Sequence, residues 1–301
     1  MITKLSDIAA AVSSQGARKL AVVCAADACT IKAVGMAVDR GVVGATLFGD
    51  RAEIEKICAE LGIDPAKFRV EACGGECECI ERGVRMVHDG GADILMKGLL
   101  PTDKYVKGIL NREYGLMPER GLLSHIAVFE APFYHKLLVV SDAAVILAPD
   151  LGQKITIIEY IARMAGFLGI AEPKIACIAP SEQVLPGAPS SVEAAVLAKM
   201  SQRGQLGSVV VDGPLSVDVA LFREVAGTKR LRGDRIAGDV DGLLFPDLGS
   251  ANVFYKMLTR LGGGKAAPLL AGTTKPCVLT SRADDTETKF NAIALAALSV
   301  K

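Results

Sequence analysis

The chain predicts an α/β fold in which parallel strands are covered by helices. Three observations carry this. Short apolar runs alternate with helical patterns through glycine- and aspartate-containing junctions, the signature of βαβ units with right-handed crossovers. Half of the residues are hydrophobic, mostly Ala, Val, Ile and Leu, with no Trp and few aromatics, as buried parallel strands require. Apolar runs repeatedly stop at Asp, Pro, Gly, Asn or Ser just before a helix, so several polar strand ends are expected to line one cleft. At 301 residues the chain is long enough for two domains or one large α/β unit.

Taken in order, a polar helical pattern at the N-terminus precedes a strand at Leu20–Ala25 and a helix at Ala28–Arg40 closed by Gly41. Gly44–Phe48 reads as a strand. Arg51–Leu61 is a helix stopped by Gly62 with Pro65 beyond, and Arg69–Ala72 is a short strand. Glu78–His88 is a helix and Ala92–Met96 a strand that runs into Lys97-Gly98, with the next helix opening at Thr102. A strand, a lysine-glycine loop and a helix N-terminus suit an anion, although the Walker spacing is absent.

The middle of the chain is denser. Runs at 122–130, 137–140 and 143–148 suggest adjacent strands, one pair antiparallel, with Ser124-His125 and Ser141-Asp142 at their ends. A helix at Ile155–Leu168 buries Ile157, Ile161 and Met164 and ends at Gly169. Then come a strand (Lys174–Ala179), a helix (Ser190–Met200), a strand (Val209–Val211) closing at Asp212-Gly213-Pro214-Leu215, and a helix (Val217–Val225). The strand Gly242–Phe245 is followed by Gly249-Ser250-Ala251-Asn252 and a helix at Val253–Arg260 that carries Lys256. Ala267–Ala271 and Cys277–Leu279 are the last apolar strands. The latter breaks into Thr280-Ser281-Arg282-Ala283-Asp284-Asp285, and a last helix places Phe290, Ile293, Ala294, Ala297 and Leu298 on one face. Asp284 or Asp285 caps that helix, with Glu287 placed for a capping box onto Asp284.

Lys plus Arg equals Asp plus Glu at 34 each, which disfavours nucleic-acid and membrane-surface partners. No secretory segment and no run long enough to cross a bilayer is visible, so a cytoplasmic protein is expected. Eight cysteines then read as thiols, and Cys73, Cys77 and Cys79 as a strand-to-helix turn, since no second Cys or His cluster completes a metal site. The three histidines form no triad or zinc motif, and the first strand is followed by Ala26-Asp27-Ala28 where a dinucleotide loop would need glycines. Hydroxyls, lysines, an arginine, an amide and carboxylates remain. Arginine's planar fork suits phosphate, so a phosphate-bearing ligand handled by electrostatics is expected.

The ordered motifs Met96-Lys97-Gly98 through Thr102, Leu123-Ser124-His125, Ser141-Asp142, Asp212-Gly213-Pro214-Leu215 with Asp218, Ala237-Gly238-Asp239, Asn252 with Tyr255-Lys256, and Thr280-Ser281-Arg282-Ala283-Asp284 resemble the phosphate acetyl/butyryltransferases, more closely the butyryl branch. The resemblance spans nearly the whole chain. It implies two α/β/α domains around a cleft, an architecture like that of isocitrate and isopropylmalate dehydrogenases, with domains at 1–132 plus 280–301 and at 133–279. It further implies a homodimer that moves a short acyl group, butyryl or a similar short or branched one, between coenzyme A and inorganic phosphate. Acyl-CoA, phosphate and acyl phosphate are then the partners, coenzyme A is a co-substrate, and no permanently bound cofactor or metal is needed.

Under that resemblance Ser281, Arg282 and a nearby carboxylate, Asp284 or Asp285, act on the reacting group. Lys97, Gly98 and Thr102 cradle phosphate or part of CoA, Asn252 and Lys256 line the opposite wall, and Ser124, His125, Asp212, Gly213 and Pro214 are further substrate contacts. One departure stands out: the acetyl branch carries an aspartate seven positions after the serine, where this chain has Thr288. The alternatives are acetyl transfer within the same family, a NAD-dependent hydroxyacid dehydrogenase on the shared fold, and a non-catalytic CoA-binding regulator.

Overall fold

The computed structural model describes residues 1–231 and 233–300, and the chain parts into two compact units. One consists of residues 5–123 and 266–301, the other of 1–4 and 124–265. These seams lie earlier in the chain than the expected ones at 132/133 and 279/280.

The first unit begins with α1 (Leu5–Ser13), β1 (Arg18–Val23), α2 (Ala28–Asp39), β2 (Val43–Gly49) and α3 (Arg51–Leu61). It continues with β3 (Arg69–Ala72), α4 (Glu76–His88), β4 (Ile94–Lys97) and α5 (Thr102–Ile109). Aspartate caps recur at the helix starts: Asp27 accepts from Thr30 N and Asp50 from Glu53 N, while Gly62 ends α3 in the left-handed conformation. β2 and β4 both pair with β1 in parallel, and β3 pairs in parallel with β2.

The second unit holds β5 (Ser124–Glu130), β6 (Leu138–Ser141), α6 (Leu151–Phe167), β7 (Lys174–Ile178), α7 (Pro189–Gln202) and β8 (Val210–Leu215). It is completed by α8 (Val217–Leu221), α9 (Arg223–Thr228), β9 (Gly242–Leu244) and α10 (Leu248–Arg260). Its strands run in the order β5-β6-β9-β7-β8. β5 and β6 form the antiparallel pair, and the other pairings are parallel. A capping box starts α6, with Asp150 accepting from Gln153 N while the Gln153 side chain receives Asp150 N.

The chain then returns to the first unit with β10 (Lys265–Ala271), β11 (Cys277–Val278) and α11 (Thr286–Leu298). β11 lies parallel to β4 and antiparallel to β10, giving this unit the order β3-β2-β1-β4-β11-β10. α11 packs against α1, α2, β4 and β11.

Four local expectations are corrected. No strand forms at 143–148, because the Asp142 carboxylate takes the N–H groups of Ala144, Val145 and Ile146 and leaves no ladder donors there. The expected single helix at 217–225 breaks at Phe222, whose extended backbone separates α8 from α9. α10 starts earlier than Val253, since Asp247 caps it by accepting from Ser250 N. Finally, α11 is not buried on one face: every residue from Lys289 to Ala297 is buried, because its alanines admit neighbours on all sides.

Candidate active site

In the first unit the parallel strands β1, β4 and β11 lie side by side, so their carboxyl ends open onto one rim. That is where an open α/β sheet binds ligands. The end of β1 delivers Asp27 to the start of α2, where it accepts Thr30 N at 3.3 Å. The end of β4 delivers Lys97, only 2% exposed, with its ammonium donating to Gly98 O at 3.2 Å and Leu100 O at 3.0 Å. The next turn lies against β1: Gly98 N donates to Val23 O at 2.9 Å and Leu99 N to Cys24 O at 2.8 Å. A Cβ at Gly98 would sit 2.2 Å from Cys24 O, so only glycine fits there. Thr102 begins α5, and no side chain caps that helix's first turn.

The end of β11 folds into a tight polar loop. Ser281 N donates to Asp284 Oδ2 at 2.7 Å, Ala283 N to Ser281 Oγ at 3.3 Å, and Asp284 N to Ser281 O at 3.1 Å. Asp285 accepts Thr288 N at 2.8 Å and is the cap of α11, so the capping box expected at Asp284 does not form: with the cap at 285, the third helical residue is Thr288 and not Glu287. Ser281 and Arg282 are exposed at the tip of this loop.

Two residues not anticipated as part of the site complete the rim. Lys289, 4% exposed on α11, reaches both Asp27 oxygens at 3.3 and 3.4 Å and donates to Thr30 Oγ1 at 2.9 Å. The resulting electrostatics register on Lys97. Burial first, then the positive charges of Lys289 and Arg282, push its pKa below the ordinary lysine value, while Asp27 and Asp284 oppose the shift. Lys97 thus lies in the field of two further cations and two carboxylates.

In the second unit the centre is Asp142, 2% exposed. Its Oδ2 accepts Ser124 Oγ at 2.9 Å, His125 N at 3.0 Å and Ile146 N at 3.2 Å, and its Oδ1 accepts Ala144 N and Val145 N. His125 is buried beside Tyr255, 6.1 Å between ring centroids, and its Nδ1 has no hydrogen-bond partner. Burial lowers its pKa against the pull of Asp142. Asn252 donates to Ala143 O at 2.9 Å, and Lys256 is exposed one turn further along α10.

Ser124, His125 and Asn252 are therefore brought together around the 141–144 turn. Asp212, Gly213 and Pro214 are not. They lie on β8, at the other edge of this unit's strand order from β5. There Asp212, its pKa raised by burial, accepts Gly213 N at 2.8 Å and Arg235 N at 3.3 Å. Asp239 is ion-paired with Lys136 and Lys174, and Asp218 with Lys229. Among the described residues no group of three or more His, Cys, Asp or Glu is arranged to hold a metal ion, and no helix is long and apolar enough to cross a membrane.

The residues that sequence reading missed had faint signals. Asp27 marks the end of an apolar run at the start of a helical pattern, and Lys289 stands inside an apolar helical run where a lysine has no packing reason to be.

Residues 76–297 match the family model described as Phosphate acetyl/butaryl transferase. The phosphate butyryltransferase of Clostridium acetobutylicum is 40% identical over 298 residues, covering 99% of this chain and 98% of that one. A branched-chain phosphotransacylase from Enterococcus faecalis superposes with a TM-score of 0.83 at 30% identity, covering 94% of this chain and 99% of the other. A 4-hydroxythreonine-4-phosphate dehydrogenase from Burkholderia phymatum gives 0.55 at 13% identity over 94% and 98%, a likeness of fold alone and one in keeping with a dehydrogenase-like architecture.

Proposed function

Since the chain belongs to the phosphate acetyl/butyryl transferase family, we propose that its rim of Ser281, Arg282 and Lys97 is where a short acyl group passes between coenzyme A and inorganic phosphate. The chain is a phosphate acyltransferase, and coenzyme A is its co-substrate. In this reading butyryl or a similar short or branched acyl group is preferred over acetyl, as the names of the relatives above favour.

The observation that carries the reading is that the buried Lys97 and the Ser281-Arg282 loop leave the carboxyl ends of the neighbouring parallel strands β4 and β11, where the Arg282 charge acts on Lys97. Phosphate is held by these charges and by the uncapped first turn of α5 at Thr102. Its oxygen attacks the thioester carbonyl, Arg282 stabilises the oxyanion, and Ser281 donates a hydrogen bond to the reacting group. The C–S bond then breaks and sulfur leaves as the thiol, its proton passing through a carboxylate at the rim. Gly98 lets the β4 loop lie close to β1. Asp284 and Asp285 hold the loop that presents Ser281 and Arg282. From the second unit, Asn252 and Lys256 are proposed contacts to acyl-CoA, with Ser124, His125 and Asp212 to Pro214 as supports of their own loops. Acyl phosphate is the product, a homodimer the working state and the cytoplasm its place.

Thiol release from an acyl-CoA series, with and without phosphate, tests the reading. Release should need phosphate and be faster with four-carbon and branched acyl groups than with acetyl. Binding of CoA without phosphate-dependent release would favour the non-catalytic alternative, and reduction of a nicotinamide by a hydroxyacid would favour the dehydrogenase.

A further inference from the structure

We infer, resting on the reading of the rim just given, that Asp27 is the catalytic carboxylate that carries the proton to and from the CoA sulfur, and that Lys289 positions it. The reaction needs such a group, because a free thiol with pKa near ~8.5 is mostly protonated at neutral pH while the thiolate is the nucleophile. Three carboxylates follow Ser281 closely in the chain, and a fourth, Asp27, follows the end of β1. Asp284 closes the loop by accepting Ser281 N at 2.7 Å, and Asp285 is used by the cap of α11. Glu287 is exposed on the first turn of α11.

Asp27 differs from these in place and in company. It leaves the C-terminal end of β1, the strand beside β4, and its field is felt at Lys97 together with those of Arg282 and Lys289. Its cap bond is long, 3.3 Å, and its side chain keeps 18% exposure. α2 packs along α11, and Cys29 Sγ lies 3.5 Å from Thr286 Oγ1 where they meet. Lys289 meanwhile is a charge sunk in an apolar helix, a costly arrangement unless paired. It spends its donors on both Asp27 oxygens and on Thr30. That pairing fixes where the Asp27 carboxylate points.

In the direction of acyl phosphate plus CoA, the S–H proton moves to Asp27, the sulfur pair forms the C–S bond, and the C–O bond pair leaves with phosphate. In the other direction Asp27 takes the proton of the attacking hydrogen phosphate and returns it to the departing sulfur. Atoms and charge balance with no further reactant.

The test is the pH profile of kcat/KM, in the acyl phosphate plus CoA direction, for Asp27→Asn and Asp27→Ser, which both keep a capping side chain. Asp50→Asn, at the cap of α3, is the matched control. We expect both Asp27 variants to fold and to lose about 10²-fold in rate near neutral pH. Their remaining rate should climb about tenfold per pH unit up to the thiol pKa, since only preformed thiolate then reacts, whereas Asp50→Asn keeps the wild-type curve. Asp27 variants that run within about twofold of wild type, or whose profiles parallel it at any rate, overturn the assignment. Wild-type enzyme without phosphate-dependent thiol release would instead overturn the reading of the whole rim, and this assignment with it.

Discussion

Arg282 is exposed at a loop tip and is the proposed donor to the oxyanion. Arg282→Ala should leave thermal stability near wild type and lower turnover by about 10²–10³, the cost of one oxyanion donor. Phosphate-dependent thiol release measures it, and near wild-type turnover would remove Arg282 from this role. His125 is the reverse case, a buried ring whose effect is on stability. Its folded pKa lies below the unfolded value of 6.5, so its contribution is whole above that value and declines as pH falls from 6.5 to the folded pKa. The unfolded state binds the extra proton over that window. A midpoint-temperature series from about pH 8 to about pH 5 should therefore fall less steeply for His125→Gln than for wild type. Equal slopes would count against it.

At the level of elements, the decisive contact is the β4 turn lying on the end of β1. Gly98→Ala would press a Cβ to 2.2 Å from Cys24 O and 2.8 Å from Val23 O, both backbone atoms that cannot swing away. Gly83→Ala on α4 meets Val23 Cγ1 at the same 2.2 Å, but that is a side chain. Each should cost about 1–3 kcal/mol in urea unfolding. Only Gly98→Ala should also raise the KM for phosphate, and an unchanged KM would detach the turn from the site. The elements themselves were largely legible because period and punctuation agree: Asp50, Arg51–Leu61 and Gly62 read as cap, helix and stop, and so they are. The failures have a common cause. At 143–148 an apolar run looked like a strand, yet one buried carboxylate consumed its donors from outside the pattern. Asp27 and Lys289 were missed likewise, since residues 262 positions apart become partners only through packing of α2 on α11. Ser281, Arg282 and Lys97 could be proposed from the sequence because each follows an apolar strand at a polar break.

Over the whole molecule the α/β class and the family were readable from motif order, whereas the seams between units were expected later in the chain than 123/124 and 265/266. Seams are set by which contacts survive folding, and a run of apolar strands through that region leaves no mark in composition. The proposed homodimer makes a plain prediction: sedimentation at micromolar concentration should give about twice the chain mass, and a single species at the monomer mass of 31.5 kDa would refute it.

The place of β11 has a further consequence. β4 has β1 on one side and, on the other, a strand that the chain supplies only after the entire second unit has been made. On the ribosome, residues 5–123 must therefore emerge with the flank of β4 unpaired and wait, while 124–265 can settle first. The segment that closes that gap also carries Ser281, Arg282 and Lys289, so in the proposed mechanism a nascent chain stays inert until its sheet is shut.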